Sequence, residues 1–203
     1  MNIADVAQQW PVVSSTELLR SRLLTVRADQ VRMPDNQIAE REVVLHPGAV
    51  AVLALDDADR VLLIRQYRHP VGRLLWEIPA GLRDVAGEDP FLTAQRELVE
   101  EAGYRARDWL VLADYFSSPG YSTERLRIYL ARDLQPVPAA ERDFVPEHEE
   151  AFLLTAWLPL DEGVRKVLAG ELHNGVAALG ILAGYAARSD GFARLRPADS
   201  PES

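Results

Sequence analysis

Apolar positions in the first forty-five residues fall in short β-branched or leucine-rich runs. Val12-Val13, Leu18 to Val26 and Ile38 to Leu45 predict extended segments, with Met33-Pro34-Asp35-Asn36 as a turn between two of them. A denser pattern begins near His46. Gly48 to Asp56 and Val61 to Arg68 predict two apolar strands joined at Asp56-Asp57-Ala58-Asp59, and Arg73 to Ile78 a shorter one ending at Pro79-Ala80-Gly81. The period then changes. Asp89 as N-cap and Pro90 at the first helical position open a helix that runs to Ala102 and stops at Gly103, where glycine most easily takes a left-handed cap. Strands are expected near 109–116, 126–131 and 151–157, and helices near 159–170 and 174–188. The segment from Arg194, rich in Pro, Ser and Asp, is expected to fray. Mixed strands and helices in this order predict an α/β (α+β) sandwich. The expected division is an N-terminal β-arm at 1–45, a main domain at 46–193 and a flexible tail at 194–203.

Composition narrows the function. The 203 residues are 48% hydrophobic and 26% charged, an ordinary globular balance with ample length for a core. Cysteine is absent, which excludes a disulfide framework, a thiol nucleophile and a thiolate metal site. That absence fits a reducing compartment, and a cytoplasmic location is expected. The amino terminus lacks a basic region followed by an apolar one. The longest uncharged stretch, Leu172 to Ala187, is too short to span a membrane and contains three glycines. A net charge of −9 argues against nucleic acid as a partner. It leaves room for a small anionic ligand, since a bound cation reverses the local sign.

The helix at 90–102 carries the chemistry. Phe91, Ala94, Leu98 and Ala102 form one apolar stripe; Glu97 and Glu101, four apart, flank it together, and Glu100 lies slightly further round. Like charges at that spacing cost a few tenths of a kcal/mol when exposed and more when partly buried. Taken alone, such a face is an ordinary solvated stripe. A divalent cation would turn it into a site, because hard cations seek several carboxylate oxygens at one point. The preceding loop, Ala80 to Glu88, contains glycines that permit close backbone approach.

The run Gly81…Glu88…Arg96-Glu97-Leu98-Val99-Glu100-Glu101-Ala102-Gly103-Tyr104 resembles the Nudix box, G-x5-E-x7-R-E-U-x-E-E-x-G-U, where U is a bulky residue. Every fixed position from Glu88 onward matches. The departure is one extra residue between Gly81 and Glu88, placed in the loop at 82–86. Further segments resemble the ADP-ribose pyrophosphatase branch: Arg41-Glu42-Val43-Val44, Gln66-Tyr67-Arg68-His69, Trp76 to Gly81, and Ser118 to Glu124 with its proline 15 residues past Tyr104. The resemblance implies a Nudix-type α/β/α sandwich with a mixed sheet and an N-terminal β-arm.

It also implies roles. Glu97 and Glu101, helped by the Ala80 carbonyl, would ligate Mg²⁺ or Mn²⁺; Glu100 would join a second ion; and Arg96 would hold the loop and glutamates in place. The reaction would be attack by water on the pyrophosphate, giving AMP and ribose 5-phosphate from ADP-ribose. The base in this branch comes from a late loop, here Glu147-His148-Glu149-Glu150, with Glu150 the first candidate and Glu149 the second. Arg41 and Arg68 are candidates for gripping adenine or phosphates. Glu77 would face a ribose hydroxyl or solvent, and Glu124 would contact the terminal sugar or serve as a turn residue.

The arm implies a homodimer with shared active sites, since a detached three-strand arm cannot bury its apolar face alone. Competing expectations are a hydrolase of ADP-glucose or GDP-mannose on the same scaffold, and a module that senses ADP-ribose without cleaving it. The retained glutamates weigh against the sensor.

Overall fold

The computed structural model describes residues 3–141 and 153–202, and the chain divides into two units, Met1–Pro47 with Phe116–Glu124, and Gly48–Tyr115 with Arg125–Ser203. The first unit holds an antiparallel sheet of β1 (Val12–Arg20), β2 (Thr25–Arg32) and β3 (Ile38–Leu45), with β2 in the middle. The single extended run expected from Leu18 to Val26 is instead a hairpin. Ser21 donates from its N–H and its Oγ to the Leu24 carbonyl, and Leu24 N–H donates back to Ser21 Oγ, so one serine closes the turn. The 33–36 turn forms as expected, with Asn36 in the left-handed region at φ 66°. The 116–124 segment is tied to β3 through Val44 and through Thr123, whose Oγ1 accepts from His46 N–H.

In the second unit the strands are β4 (Ala49–Ala54), β5 (Arg60–Arg68), β6 (Arg73–Glu77), β7 (Ala80–Leu82), β8 (Tyr104–Phe116), β9 (Arg125–Pro136), β10 (Leu154–Pro159) and β11 (Arg196–Pro197). The helices are α1 (Pro90–Ala102), α2 (Leu160–Leu168) and α3 (Gly175–Arg188). One sheet runs β11-β8-β9-β4-β7 and mixes parallel β4–β9 pairing with antiparallel β4–β7 pairing; the other is an antiparallel β10-β5-β6 sheet.

The two-residue period of a strand sends successive side chains to opposite faces, and β4 uses both. Val50, Val52 and Ala54 pack with Leu62, Tyr129 and Ala131 against Ala94, Leu98 and Ala102 of α1. Ala51, Leu53 and Leu55 pack with Val61, Leu63, Ile128 and Leu130 against Leu160, Ala177 and Ile181 of α2 and α3. Being buried on both faces explains why β4 reads as a continuous apolar run. The helices on opposite sides make this the expected α/β/α sandwich. Among the described residues no helix is long and apolar enough to cross a membrane.

Helix α1 begins and ends as its sequence demands. The Asp89 carboxylate accepts from Phe91 N–H at 2.7 Å, and Gly103 caps the other end at φ 72°. Two strands are longer than their apolar runs. β8 starts at Tyr104 and β9 continues to Pro136, because the charged residues that hide them, Arg105, Arg107 and Asp133 among them, sit on an exposed stretch of ladder.

The tail is a correction. Rather than fraying from Arg194, the chain adds β11 to the edge of β8. Arg196 pairs with Asp114 at 2.7 Å, and Arg127 donates to the Ser200 and Pro201 carbonyls at 2.6 and 3.1 Å. Arg127, only 3% exposed, also forks onto both oxygens of Asp114. Burial pushes the Asp114 carboxyl up, but hydrogen bonds from Arg127 and Arg196 outweigh it and hold it below the usual carboxylate range. A buried guanidinium needs acceptors for all its donors, and the tail supplies two.

Helix α3 approaches the sheet through glycines. A Cβ at Gly184 would lie 2.3 Å from Leu53 Cδ2, and one at Gly180 would lie 3.0 Å from Ile78 Cδ1. Gly184→Ala should gain about 1 kcal/mol of helix propensity, yet at 2.3 Å it forces a fully buried leucine out of place, at a cost of about 2–3 kcal/mol. The expected net result is a fall in the thermal unfolding midpoint of about 2–6 °C. Calorimetry checks it; a midpoint equal to or above wild type contradicts this packing.

Candidate active site

The site is built where α1 crosses β7. Gly81 lies directly under the Glu97 side chain: a Cβ there would be 2.1 Å from both Glu97 Cδ and Oε1. Only glycine lets the carboxylate rest on this backbone. One turn further along, Glu101 Oε2 accepts from Ala80 N–H at 2.8 Å. The i, i+4 spacing on α1 and the three-residue strand opposite it therefore set both carboxylates against the same short piece of chain.

Arg96 organises the rest. Its Nη1 donates to Glu97 Oε1 at 2.7 Å and to Glu100 Oε2 at 3.1 Å, and its Nη2 reaches Glu88 Oε2 at 3.2 Å. Thr93, fully buried, donates its hydroxyl to Glu88 at 2.8 Å. Hydrogen bonds from Arg96 and then Thr93 hold the Glu88 carboxyl below its ordinary range. Burial alone would lower the Arg96 pKa, but the three glutamates raise it, so the guanidinium stays charged. The cluster thus sets four formal negative charges, those of Glu88, Glu97, Glu100 and Glu101, against one positive.

The donor set consists wholly of carboxylate oxygens with backbone nearby, which suits a hard divalent cation such as Mg²⁺ or Mn²⁺ and not a thiolate-seeking metal. Among the described residues, no three His, Asp or Glu groups are already drawn around one point. The Arg96 guanidinium stands among these carboxylates and shares Glu97 and Glu100. Ala80 meets the cluster through its N–H.

The remaining sequence candidates divide between the units. In the second, Arg68 and Glu77 come together: Arg68 Nε and Nη2 donate to the two Glu77 oxygens at 2.9 and 2.7 Å, and Glu77 is 3% exposed. Glu77 therefore faces neither solvent nor open space but an arginine fork. Arg68 itself keeps 45% of its side chain exposed. In the first unit, Arg41 lies on β3 and donates to the Glu40 carbonyl, while Glu124 accepts from Ser117 Oγ and lies 3.8 Å from His46 Nδ1. Glu149 and Glu150 fall outside the described residues.

Sequence reasoning missed two features. The need for glycine at 81 is steric and set by α1, so it is visible only when the helix is docked. The Asp114–Arg127 pair had a signal, an arginine inside the apolar run Leu126 to Ala131.

Comparison with known proteins agrees with this geometry. A family model described as NUDIX domain matches residues 45–178, and one described as nucleoside diphosphate sugar hydrolase N-terminal domain matches residues 10–44. An ADP-ribose pyrophosphatase of Mycobacterium tuberculosis is 48% identical over 191 residues, covering 94% of this chain and 90% of that protein. One from Bacillus subtilis is 31% identical, covering 83% of this chain and 89% of that protein. A solved structure titled ADP compounds hydrolase superposes with a TM-score of 0.72 at 27% identity, covering 93% of this chain and 99% of that one. With the domain match spanning most of its length and the carboxylate helix seated on its glycine-led loop, the chain belongs to the Nudix hydrolase family.

Proposed function

We propose that the protein hydrolyses the pyrophosphate bond of ADP-ribose to AMP and ribose 5-phosphate, using Mg²⁺ or Mn²⁺ and more than one ion. The observation that carries the reading is the seating of Glu97 on Gly81 and of Glu101 on Ala80, which brings two carboxylates against the same short piece of backbone. The choice of ADP-ribose rests on the 48% identical relative of that name.

Glu97 and Glu101 would hold the cation with the Ala80 carbonyl, and Glu100 would serve a second ion. When bound, the ions polarise the phosphoryl oxygens, neutralise developing charge and make the attacking water more acidic. Arg96 keeps the carboxylates gathered through its bonds to Glu88, Glu97 and Glu100, so ordering them costs little when the cation arrives. Glu150, or Glu149 in its place, would take the proton of the attacking water. Arg68, its fork fixed by Glu77, is suited to present its planar face to adenine, and Arg41 to contact the phosphates or the base. Glu124 is assigned to the terminal sugar.

We further propose a homodimer with shared active sites. Val12, Val13, Leu18, Leu19 and Ile38 on the three-stranded sheet remain about half exposed, a cover that the sheet itself cannot provide.

With ADP-ribose and Mg²⁺, Glu97→Gln and Glu101→Gln should each lower kcat/KM by on the order of 10²-fold or more, through lost charge stabilisation. Near-normal rates in either would remove that residue from the ligand set. Glu150→Gln should lower kcat by on the order of 10²–10⁴; an effect confined to KM would make it a binding residue instead. Light scattering at micromolar concentration should give twice the chain mass, and a monomeric mass would refute the dimer.

A further inference from the structure

The segment after β11 meets the loop between β7 and α1. Arg83 Nη1 donates to both Glu202 oxygens, at 2.9 and 3.1 Å, and the two side chains are only 25% and 24% exposed. Arg83 is the first residue after β7, whose Ala80 and Gly81 carry Glu101 and Glu97. From Arg83 the loop crosses four exposed residues, Asp84 to Gly87, before Glu88 joins Arg96. This is the stretch that exceeds the Nudix pattern by one residue. Its side-chain anchor at the near end is therefore the Arg83–Glu202 pair, and at the far end Glu88. A partly buried ion pair is screened less than a surface one. The anchor is itself held firmly: Arg196 binds Asp114, and buried Arg127 grips the Ser200 and Pro201 carbonyls, two residues and one residue before Glu202.

We propose that residues 196–202 form a strap that positions the metal-binding loop, with Glu202 acting through Arg83 as a positioning residue for the Glu97–Glu101 site. The proposal rests on reading that carboxylate cluster as a metal site. The strap compensates for the longer loop: an added residue gives the 82–88 stretch more conformations, and an ion pair at its base removes them before a cation binds. Glu202 takes no part in bond making; pairing with β4 already holds the backbone of Ala80 and Gly81, and the ion pair fixes how the loop leaves β7 toward Glu88 and Arg96.

The test titrates Mn²⁺ into the whole chain and follows the loss of the free-ion EPR signal, a readout independent of turnover. Glu202→Gln should raise the half-saturating Mn²⁺ concentration by about tenfold, the lower end of what removing a supporting partner does. The thermal midpoint should move by less than about 3 °C, as for a change near 1 kcal/mol. The doubly reversed variant R83E/E202R should return half-saturation to within about twofold of wild type, since the pair is restored with its sign exchanged. Unchanged Mn²⁺ binding in Glu202→Gln, or no recovery in the reversed pair, overturns the strap while leaving the metal site standing. A wild-type chain that binds no Mn²⁺ overturns the metal reading, and the strap with it.

Discussion

The close seating of Glu97 on Gly81 is the contact on which the site depends. A methyl group at residue 81 would occupy the space of the carboxylate, so Glu97 keeps this position only because the loop offers bare backbone there. Once α1 is pressed down, Glu101 reaches Ala80 N–H one turn later, and Arg96 comes within reach of Glu88, Glu97 and Glu100. Three separate elements, β7, the 83–88 loop and α1, are thereby locked into one cluster. Nothing in that cluster is apolar enough to hold it; what brings α1 to the sheet is the apolar face beside it.

That face is Ala94, Leu98 and Ala102, packed on Val50, Val52 and Ala54. The strand that carries α1 on one side carries α2 and α3 on the other through Ala51 and Leu53, joined by Leu55 just past its end. The acidic face of α1 is thus fixed by the same apolar packing that holds the sandwich together, and like-charge repulsion among the glutamates is opposed by core burial worth far more than the few tenths of a kcal/mol each exposed pair costs. The fold tolerates the strain that a cation would relieve.

Much of this was legible in the sequence, for identifiable reasons. Asp89, Pro90 and Gly103 bound α1 through local hydrogen bonds and backbone preference, which need no tertiary context. The doubly apolar run of β4 marks a strand buried on both faces, and the Nudix pattern marks the carboxylate helix. What was not legible depends on long-range partners. Ser21 turns the chain only because its hydroxyl finds the Leu24 backbone. Arg105 and Asp133 conceal strands because they lie on exposed ladder. The 194–202 segment reads as a frayed end until Asp114, Arg127 and Arg83 are placed beneath it. The solvent reading of Glu77 gives way once Arg68 closes on it.

The chain's net charge of −9 takes on meaning at this cluster, where an anionic pyrophosphate is expected to meet four glutamates. Such a surface would repel an anionic substrate until divalent cations reversed its sign. The most direct measurement is the rate of phosphomonoester release from ADP-ribose, ADP-glucose, GDP-mannose and NADH by the wild-type chain, with Mg²⁺ and with chelator, using a phosphatase to report the products. The account predicts turnover that vanishes with chelator and a kcat/KM for ADP-ribose above the others by about tenfold or more. Release of comparable size in chelator, no release from any of the four, or a preference for GDP-mannose would contradict it.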